Sequence, residues 1–193
     1  MRNFQTEGLI LKSRNLGEND KIVIILTKDF GKIEAKAKGS RKLLSQFTGH
    51  LEPISICNLA LYRSTKDFLT ITQCKTKKTF KKIKNNLPSI QKALEITELI
   101  NKNVETEHPL ENLYEFTVQT LEKIEDSETE ETEKITNTYI IGLLKILGLL
   151  PDRPPNKQEI RRIIEKHLNL PQMSFSTRST FLTPSILSKI LSN

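Results

Sequence analysis

The sequence predicts an α+β protein, with a small all-β domain in its first part and an α-helical bundle in its second. Before residue 75, five short segments have the apolar patterns of strands and are separated by turn residues. From Pro88 onward, apolar residues recur instead with the three- and four-residue spacing of helices. We therefore expect two domains, at residues 1–80 and at residues 81–193.

The predicted strands are short and separated by turns at regular intervals. They lie at residues 7–12, 21–27, 54–62 and 68–74 and in a lysine-rich segment that begins at residue 32. Residues 22–26 are apolar throughout, which favours a central position for that strand. Five short strands favour a closed barrel or a sandwich, because both arrangements protect strand edges from pairing with other chains.

The lysine-rich strand has the clearest alternation. Its apolar residues Ile33, Ala35 and Ala37 alternate with charged residues, which are Lys32, Glu34, Lys36 and Lys38. A period of two predicts that one face of this strand lies in the core and that the other, mostly lysine, faces water. A loop at residues 39–49 follows, with room for one helical turn at residues 42–47.

Prolines and capping residues mark the predicted helix starts. Pro88 suits a first helical turn, and Pro109 is expected to start a second helix. Ser127 and Glu130 form the capping-box pattern of a third helix, whose apolar end should lie at the centre of the bundle. Further helices are expected at residues 156–168, where the helix is basic and exposed, and at residues 185–191.

Cysteine use and hydropathy predict a cytoplasmic protein. Cys57 and Cys74 both lie in strand-like segments, and two reduced, buried thiols are favoured over one disulfide between them. No histidine stands near them to complete a zinc site. The amino terminus lacks the apolar run of a signal peptide. The longest apolar stretch, residues 139–150, contains Lys145 and is too short to cross a bilayer.

The sequence contains no motif of a nucleotide-binding loop, a zincin or a hydrolase nucleophile elbow. The histidines His50, His108 and His167 are scattered and form no set with a nucleophile. The acidic residues at 128–131 fit the first turn of a helix, where they interact favourably with its dipole. We therefore expect a binding protein that is not an enzyme and holds no cofactor or metal.

Positive charge is concentrated in the first part of the chain. Residues 1–84 contain 18 Lys and Arg against 7 Asp and Glu, whereas residues 85–193 contain 12 against 16. The densest run of lysines, between residues 75 and 84, fits equally well a phosphate-contacting role and a solvated linker. A basic first part predicts binding to nucleic acid or to another anionic surface.

Three stretches carry the most specific motifs of the first part. They are EGLILKSRNLGENDKIVIILTKDFGKI at residues 7–33, AKAKGSRK at residues 35–42 and LEPISICNLALYR at residues 51–63. These stretches resemble the RecO family of bacterial recombination mediators. Two segments of the second part, LKILGLLPD at residues 144–152 and LTPSILSKI at residues 182–190, resemble helices of the same family's helical domain.

The resemblance implies an OB-fold barrel followed by a helical domain. It implies binding to single- and double-stranded DNA, annealing of complementary strands, and help to RecA in displacing single-strand-binding protein, with RecR as partner. Such a protein would act in DNA repair in the cytoplasm, associated with the nucleoid. Many RecO proteins carry a zinc module directly after the LPD segment, but residues 151–166 hold no cysteine here, so zinc is not implied.

On this basis we expect cations of the barrel to contact DNA. The expected residues are Lys12, Arg14, Lys36, Lys38, Arg41, Lys42 and Arg63, extended by Lys75, Lys77, Lys78, Lys81, Lys82 and Lys84. A weaker expectation is that the acidic tail of single-strand-binding protein docks at Arg161, Arg162 and Lys166. With no Trp and few exposed aromatic residues expected, binding should depend mainly on phosphates.

Two other functions remain open at this point. An OB-type RNA-binding factor would use the same basic barrel. A protein-only adaptor would dock through its helical half, and its basic face would serve solubility alone.

Overall fold

The structure is a computed structural model that describes residues 2–63, 69–151, 153 and 155–168. Its strands are β1 (Arg2–Leu16), β2 (Asp20–Thr27), β3 (Gly31–Ala37), β4 (Ile56–Arg63) and β5 (Leu69–Lys78). Its helices are α1 (Lys81–Lys84), α2 (Leu87–Asn103), α3 (Leu113–Asp126), α4 (Thr129–Ile146) and α5 (Lys157–His167). The predicted α+β class is confirmed. The helix expected at residues 185–191 lies outside the described residues.

The five strands close into a barrel in the order β1-β2-β3-β5-β4. β3 and β5 pair in parallel, and every other neighbouring pair is antiparallel. Closure depends on the length of β1, whose first half pairs with β4 and whose second half pairs with β2. The barrel is the expected five-stranded OB type, and of the two arrangements that the sequence left open, barrel and sandwich, it is the barrel.

Two apolar cores organise the molecule. One fills the barrel interior and includes Ile10, Val23 and Ile33. The other joins the outside of the barrel, through residues such as Leu9 and Leu26, to the buried faces of the helices. The helices therefore pack directly on the barrel, as expected. The division into domains at residue 80 stays a prediction.

A β-bulge in β1 decides which side chains of this strand face outward. Ile10 pairs with Ile25 and Lys12 pairs with Ile24, so Leu11 is the extra residue on β1. Strict alternation from the buried Ile10 would turn Lys12 into the barrel. The bulge instead places Lys12 on the outer face, because a bulge shifts the alternation by one residue.

Of the helix starts predicted from Pro88, Pro109 and Ser127, the first is correct and the other two are wrong. α2 begins with Pro88 in its first turn, as expected. α3 begins at Leu113, so Pro109 lies in the preceding connection and does not start the helix. The expected capping box at Ser127 is also wrong, since its hydroxyl donates to the Ile124 carbonyl at 3.1 Å instead of capping α4.

The end of α4 is partly as expected. The helix ends at Ile146, and Gly148 follows with a positive φ of 67°. Leu143 and Leu144 are fully buried, while Leu149 and Leu150 only flank the core. The basic helix predicted at residues 156–168 is confirmed as α5, where Asn156 and Glu159 form a reciprocal capping box.

Tyr139 of α4 is the largest fully buried side chain in the described part of the chain. Its ring stacks on Phe116 at 5.1 Å between centroids. Its hydroxyl lies 3.0 Å from Thr117 Oγ1, which itself donates to the Leu113 carbonyl at 2.7 Å. Tyr139 is therefore the donor to Thr117, and burial raises the pKa of its phenol.

Tyr139→Phe is expected to lower the free energy of unfolding by about 1 kcal/mol, because one buried hydrogen bond is removed while the ring stack is kept. Urea denaturation at neutral pH measures this change. Tyr62→Phe is the matched control, since the Tyr62 hydroxyl forms no hydrogen bond with another described residue. Equal losses of stability in the two variants would contradict this role of Tyr139.

Candidate nucleic-acid interface

The outer face of β1, β2 and β3 carries cations in adjacent rows. Arg14 of β1 lies opposite Ile22 of β2, which lies opposite Lys36 of β3. Two strand spacings separate the backbones of Arg14 and Lys36, about 10 Å. Lys12 stands one outward position away from Arg14 on the same face, as the bulge dictates. The fold therefore brings three of the predicted DNA-binding residues onto one surface.

Each of these three cations has an acidic neighbour. Arg14 donates to Glu34 at 2.8 Å, Lys36 contacts Asp20 at 2.8 Å, and Lys12 lies 3.8 Å from Glu98 of α2. Pairs as exposed as those of Arg14 and Lys12 contribute little to stability, about 0–1 kcal/mol each, so a phosphate can replace their carboxylates at small cost. The Lys36–Asp20 pair is half-buried and is held more firmly. The face carries both signs of charge and is not the uniform lysine surface that the sequence suggested.

Asp20 links Lys36 of β3 to the backbone of Gly39 at one end of this face. One carboxylate oxygen contacts the Lys36 amine, and the other accepts the backbone N–H of Gly39 at 2.8 Å. The Lys36 hydrogen bond, with that of Gly39, lowers the pKa of the Asp20 carboxyl. In the sequence, Asp20 only precedes the strand predicted at residues 21–27, and no motif marks it as part of a site. Its position beside the end of β3, close to Gly39, could be found only from the register.

The loop after β3 adds further cations next to this face. Arg41 fastens this loop to the β1–β2 turn, because its backbone N–H donates to Asn19 O at 3.0 Å and its Nη1 to Gly17 O at 2.9 Å. Lys38 and Lys42 beside it are exposed. Neither forms an ion pair with another described residue, so both amines remain available to an anion. The helical turn considered for residues 42–47 is a series of hydrogen-bonded turns instead.

Lys32 is an exception to the water-facing lysine side expected for β3. Its side chain is only 7% exposed, and its Nζ donates to the Asn101 carbonyl at 2.6 Å, near the end of α2. Burial lowers the pKa of this amine. The prediction of a water-facing position is wrong here, because the helical half covers the beginning of β3. Lys32 helps to hold α2 against the barrel.

Three of the six lysines between residues 75 and 84, Lys77, Lys78 and Lys82, form ion pairs with acidic residues of the described part of the chain. β5 continues to Lys78, so the first lysines of the run belong to a strand of the barrel and not to a linker. Lys78 contacts Glu122 at 3.1 Å and Glu125 at 3.3 Å, both on α3. Its amine also stands 4.7 Å from the centroid of the Phe80 ring.

Two other members of the run also pair with acids, and Lys84 donates to a serine hydroxyl. Lys77 pairs with Glu7, Lys82 lies 3.1 Å from Asp126, and Lys84 donates to Ser55 Oγ at 2.8 Å. Lys75 and Lys81 are exposed and form no ion pair with another described residue. Lys75 lies opposite Asn58 of β4, whereas Lys36 lies opposite Thr70. About 17 Å of strand separates the two positions, so the structure does not place Lys75 beside the β1–β2–β3 face.

The remaining predicted residues are Arg63 and three residues of α5. Arg63 ends β4 and contacts Glu107 at 2.8 Å, which itself lies beside Lys32 at the start of β3. On α5, Arg161 pairs with Glu165 at 2.9 Å, and Arg162 and Lys166 are exposed. Ile160 and Ile164 of the same helix turn into the core, so the basic residues form its outer side. Docking of an acidic tail on this side stays a prediction.

Comparison with known proteins gives the family. The family described as "Recombination protein O N terminal" matches residues 1–80, and "Recombination protein O C terminal" matches residues 91–153. The chain belongs to the RecO family.

Curated relatives agree with this assignment. DNA repair protein RecO of Caldanaerobacter subterraneus subsp. tengcongensis is 33% identical over 151 residues, which cover 78% of this chain and 60% of that protein. The protein of the same name from Syntrophus aciditrophicus is 29% identical over 189 residues, covering 93% of this chain and 70% of that protein. The chain thus spans about three fifths of the length of the first of these RecO proteins.

Neither a metal site nor a membrane helix is found in the described part of this RecO-family chain. Within the described ranges, no group of three or more His, Cys, Asp or Glu side chains is placed to hold a metal ion. Cys57 and Cys74 are free thiols, and Cys57 Sγ donates to the His50 carbonyl at 3.1 Å. Among the described helices, none is long and apolar enough to cross a membrane.

Proposed function

We propose that this RecO-family chain binds DNA through the outer face of β1, β2 and β3 and the loop after β3, and that it anneals complementary strands without being an enzyme. The same activity would assist RecA in replacing single-strand-binding protein, with RecR as partner, during recombinational repair. The observation that carries the proposal is that Lys12, Arg14 and Lys36 share the outer face of β1, β2 and β3, and that the loop directly after β3 adds the exposed Lys38 and Lys42.

Annealing requires that two polyanions lie side by side while their bases stay free to pair. Lysines and arginines satisfy this requirement, because they neutralise phosphates and release counterions without covering the bases. A groove of aromatic side chains would bind the base faces instead and so compete with pairing. The chain has no Trp, and Phe47 and Phe80 are buried. Phe30 is 38% exposed, but it lies in the β2–β3 turn with its ring edge-on to Phe4.

The test is annealing of two complementary oligonucleotides, each free or coated with single-strand-binding protein, at low and high salt. We expect faster annealing by the protein at low salt and a steep loss of DNA affinity as salt rises. Matched RNA strands serve as the competitor, and preference for RNA would favour the OB-type RNA-binding factor. Affinity for neither nucleic acid at low salt would overturn the proposal and favour an adaptor.

Asp20→Asn is expected to tighten DNA binding by about 3- to 10-fold at low salt, because it frees the Lys36 amine and removes one negative charge from the face. The asparagine side chain keeps an oxygen for the Gly39 N–H, so the loop should stay in place. Fluorescence anisotropy of a labelled oligonucleotide measures the affinity. Glu130→Gln, exposed on α4, is the control for net charge. An equal gain in both variants would contradict a specific role for the Asp20–Lys36 pair.

A further inference from the structure

Two leucines at the tip of the loop after β3 have an unusual exposure. Leu43 is 95% exposed and Leu44 is 96% exposed, more than any other large apolar side chain in the described part of the chain. A leucine that is buried instead of exposed gains about 1.5–3 kcal/mol. Two adjacent leucines held in water therefore indicate a surface that is covered when the protein binds its ligand.

The loop that carries these leucines is held in place on both sides. Phe47 and Leu51 further along it are buried in the barrel core. Gln46 Nε2 donates to the Thr72 carbonyl at 3.1 Å, and Arg41 is fastened to the β1–β2 turn. Successive turn hydrogen bonds, Lys42 to Gly39 and Ser45 to Lys42, span the tip. The leucines are thus presented from a fixed position.

The charges around the tip indicate what covers it. Lys38, Arg41 and Lys42 flank the leucines, and both lysines have amines without an ion-pair partner among the described residues. Further cations, Lys36 and Arg14, follow on the sheet, each beside an acidic neighbour. A ligand that matches this pattern has anionic groups repeated over an extended length and apolar faces between them. A nucleic-acid strand has both.

We propose that Leu43 and Leu44 form an apolar wedge that contacts base faces of a DNA strand whose phosphates lie on Lys38 and Lys42. Leucine side chains inserted between bases unstack them, as in proteins that kink the duplex. Here the wedge would separate neighbouring bases of a single strand and leave their pairing edges exposed. Two leucines bind a base more weakly than an aromatic platform does, so the base remains able to pair with the complementary strand. This inference rests on the DNA-binding function proposed above.

The test uses oligonucleotides that contain 2-aminopurine, whose fluorescence rises when neighbouring bases unstack. The wild-type protein is expected to increase this fluorescence on binding, and the Leu43→Ser/Leu44→Ser double variant is expected not to. The variant should bind about tenfold more weakly, because it no longer buries two leucines in part. Its salt dependence should be unchanged, since the phosphate contacts remain. The wild type should also bind an abasic oligonucleotide as weakly as the variant binds the normal one.

Leu87→Ser is the matched control, because Leu87 is 69% exposed at the start of α2 and is not part of the loop. Failure of the wild type to bind DNA at all would overturn the proposed function. Normal DNA binding with equal fluorescence in wild type and double variant would overturn the wedge alone. Binding of wild type, but not of the double variant, to phosphatidylglycerol vesicles, with DNA behaviour unchanged, would overturn the wedge and assign the leucines to a lipid surface.

Discussion

Reversing the charge of Lys38 and Lys42 together, by Lys38→Glu/Lys42→Glu, is expected to lower DNA affinity about 100-fold at low salt and to stop annealing. Both amines are exposed and lack an ion pair within the described part of the chain, so both are available to phosphates. The slope of log affinity against log salt should fall by about 2, because the variant neutralises two phosphates fewer. Anisotropy titrations at several salt concentrations measure both quantities.

The choice of these two lysines follows from the structure. Lys36→Glu would place a second carboxylate against Asp20, and replacing Arg41 would release the loop from Gly17 and Asn19. Either change would mix a structural effect with the removal of a cation from the DNA-binding face. Lys38 and Lys42 make neither contact, although the Lys38 charge lies close enough to help lower the pKa of the Asp20 carboxyl.

Lys123→Glu/Lys134→Glu is the matched control. It makes the same change in net charge at exposed positions of α3 and α4 that form no ion pair with another described residue. If the control variant lowered DNA affinity as much as Lys38→Glu/Lys42→Glu, only net charge would matter, and the assignment of the loop to the DNA interface would be wrong.

Gly31→Ala is expected to lower the free energy of unfolding by about 2–4 kcal/mol, since it combines backbone strain with a steric clash. Gly31 has a φ of +68°, which alanine adopts only with strain. A Cβ at this position would lie 2.6 Å from the His108 carbonyl oxygen and 2.8 Å from Pro109 Cα, both backbone atoms that cannot turn away. Thermal and urea denaturation measure the destabilisation.

This glycine matters because it lies where the connection between α2 and α3 crosses the barrel. Beside it, the Glu107 N–H donates to the Lys32 carbonyl at 2.6 Å, and the Lys32 amine donates to Asn101. Gly17→Ala separates backbone strain from steric clash. Gly17 also has a positive φ of 60°, but no atom lies within 4 Å of the added Cβ. The control should be destabilised by about 1 kcal/mol through strain alone. Equal destabilisation at both positions would contradict the close packing at Gly31.

The strands could be predicted because their patterns are local. Ile33, Ala35 and Ala37 alternate with charged residues, and all three are buried in the barrel. The burial of Lys32 could not be predicted from the same alternation, since it depends on α2, about 70 residues further along the chain. The bulge at Leu11 could not be predicted either, because Leu9, Ile10 and Leu11 are all apolar and no break in the pattern marks the extra residue.

The residue types of the candidate site could be predicted from the sequence, but the ion pairs that its cations form could not. Lysines and arginines of the first part indicated an anionic ligand, and the register brings Lys12, Arg14 and Lys36 together. Which cations are held by acids depends on contacts between distant segments, such as Lys78 with Glu122 of α3. Leu43 and Leu44 could have been noticed in the sequence, as two adjacent leucines in a polar loop bounded by glycines.

Lysine acetylation in the presence and absence of single-stranded DNA tests the location of the interface most directly. Mass spectrometry reads the modification at each lysine of the intact protein. We expect DNA to protect Lys36, Lys38 and Lys42 on the barrel and its loop, and to leave Lys123 and Lys134 on the helices as reactive as before. Protection of Lys123 and Lys134, with Lys38 and Lys42 unchanged, would show that DNA lies on the helical half and would contradict the barrel as its binding surface.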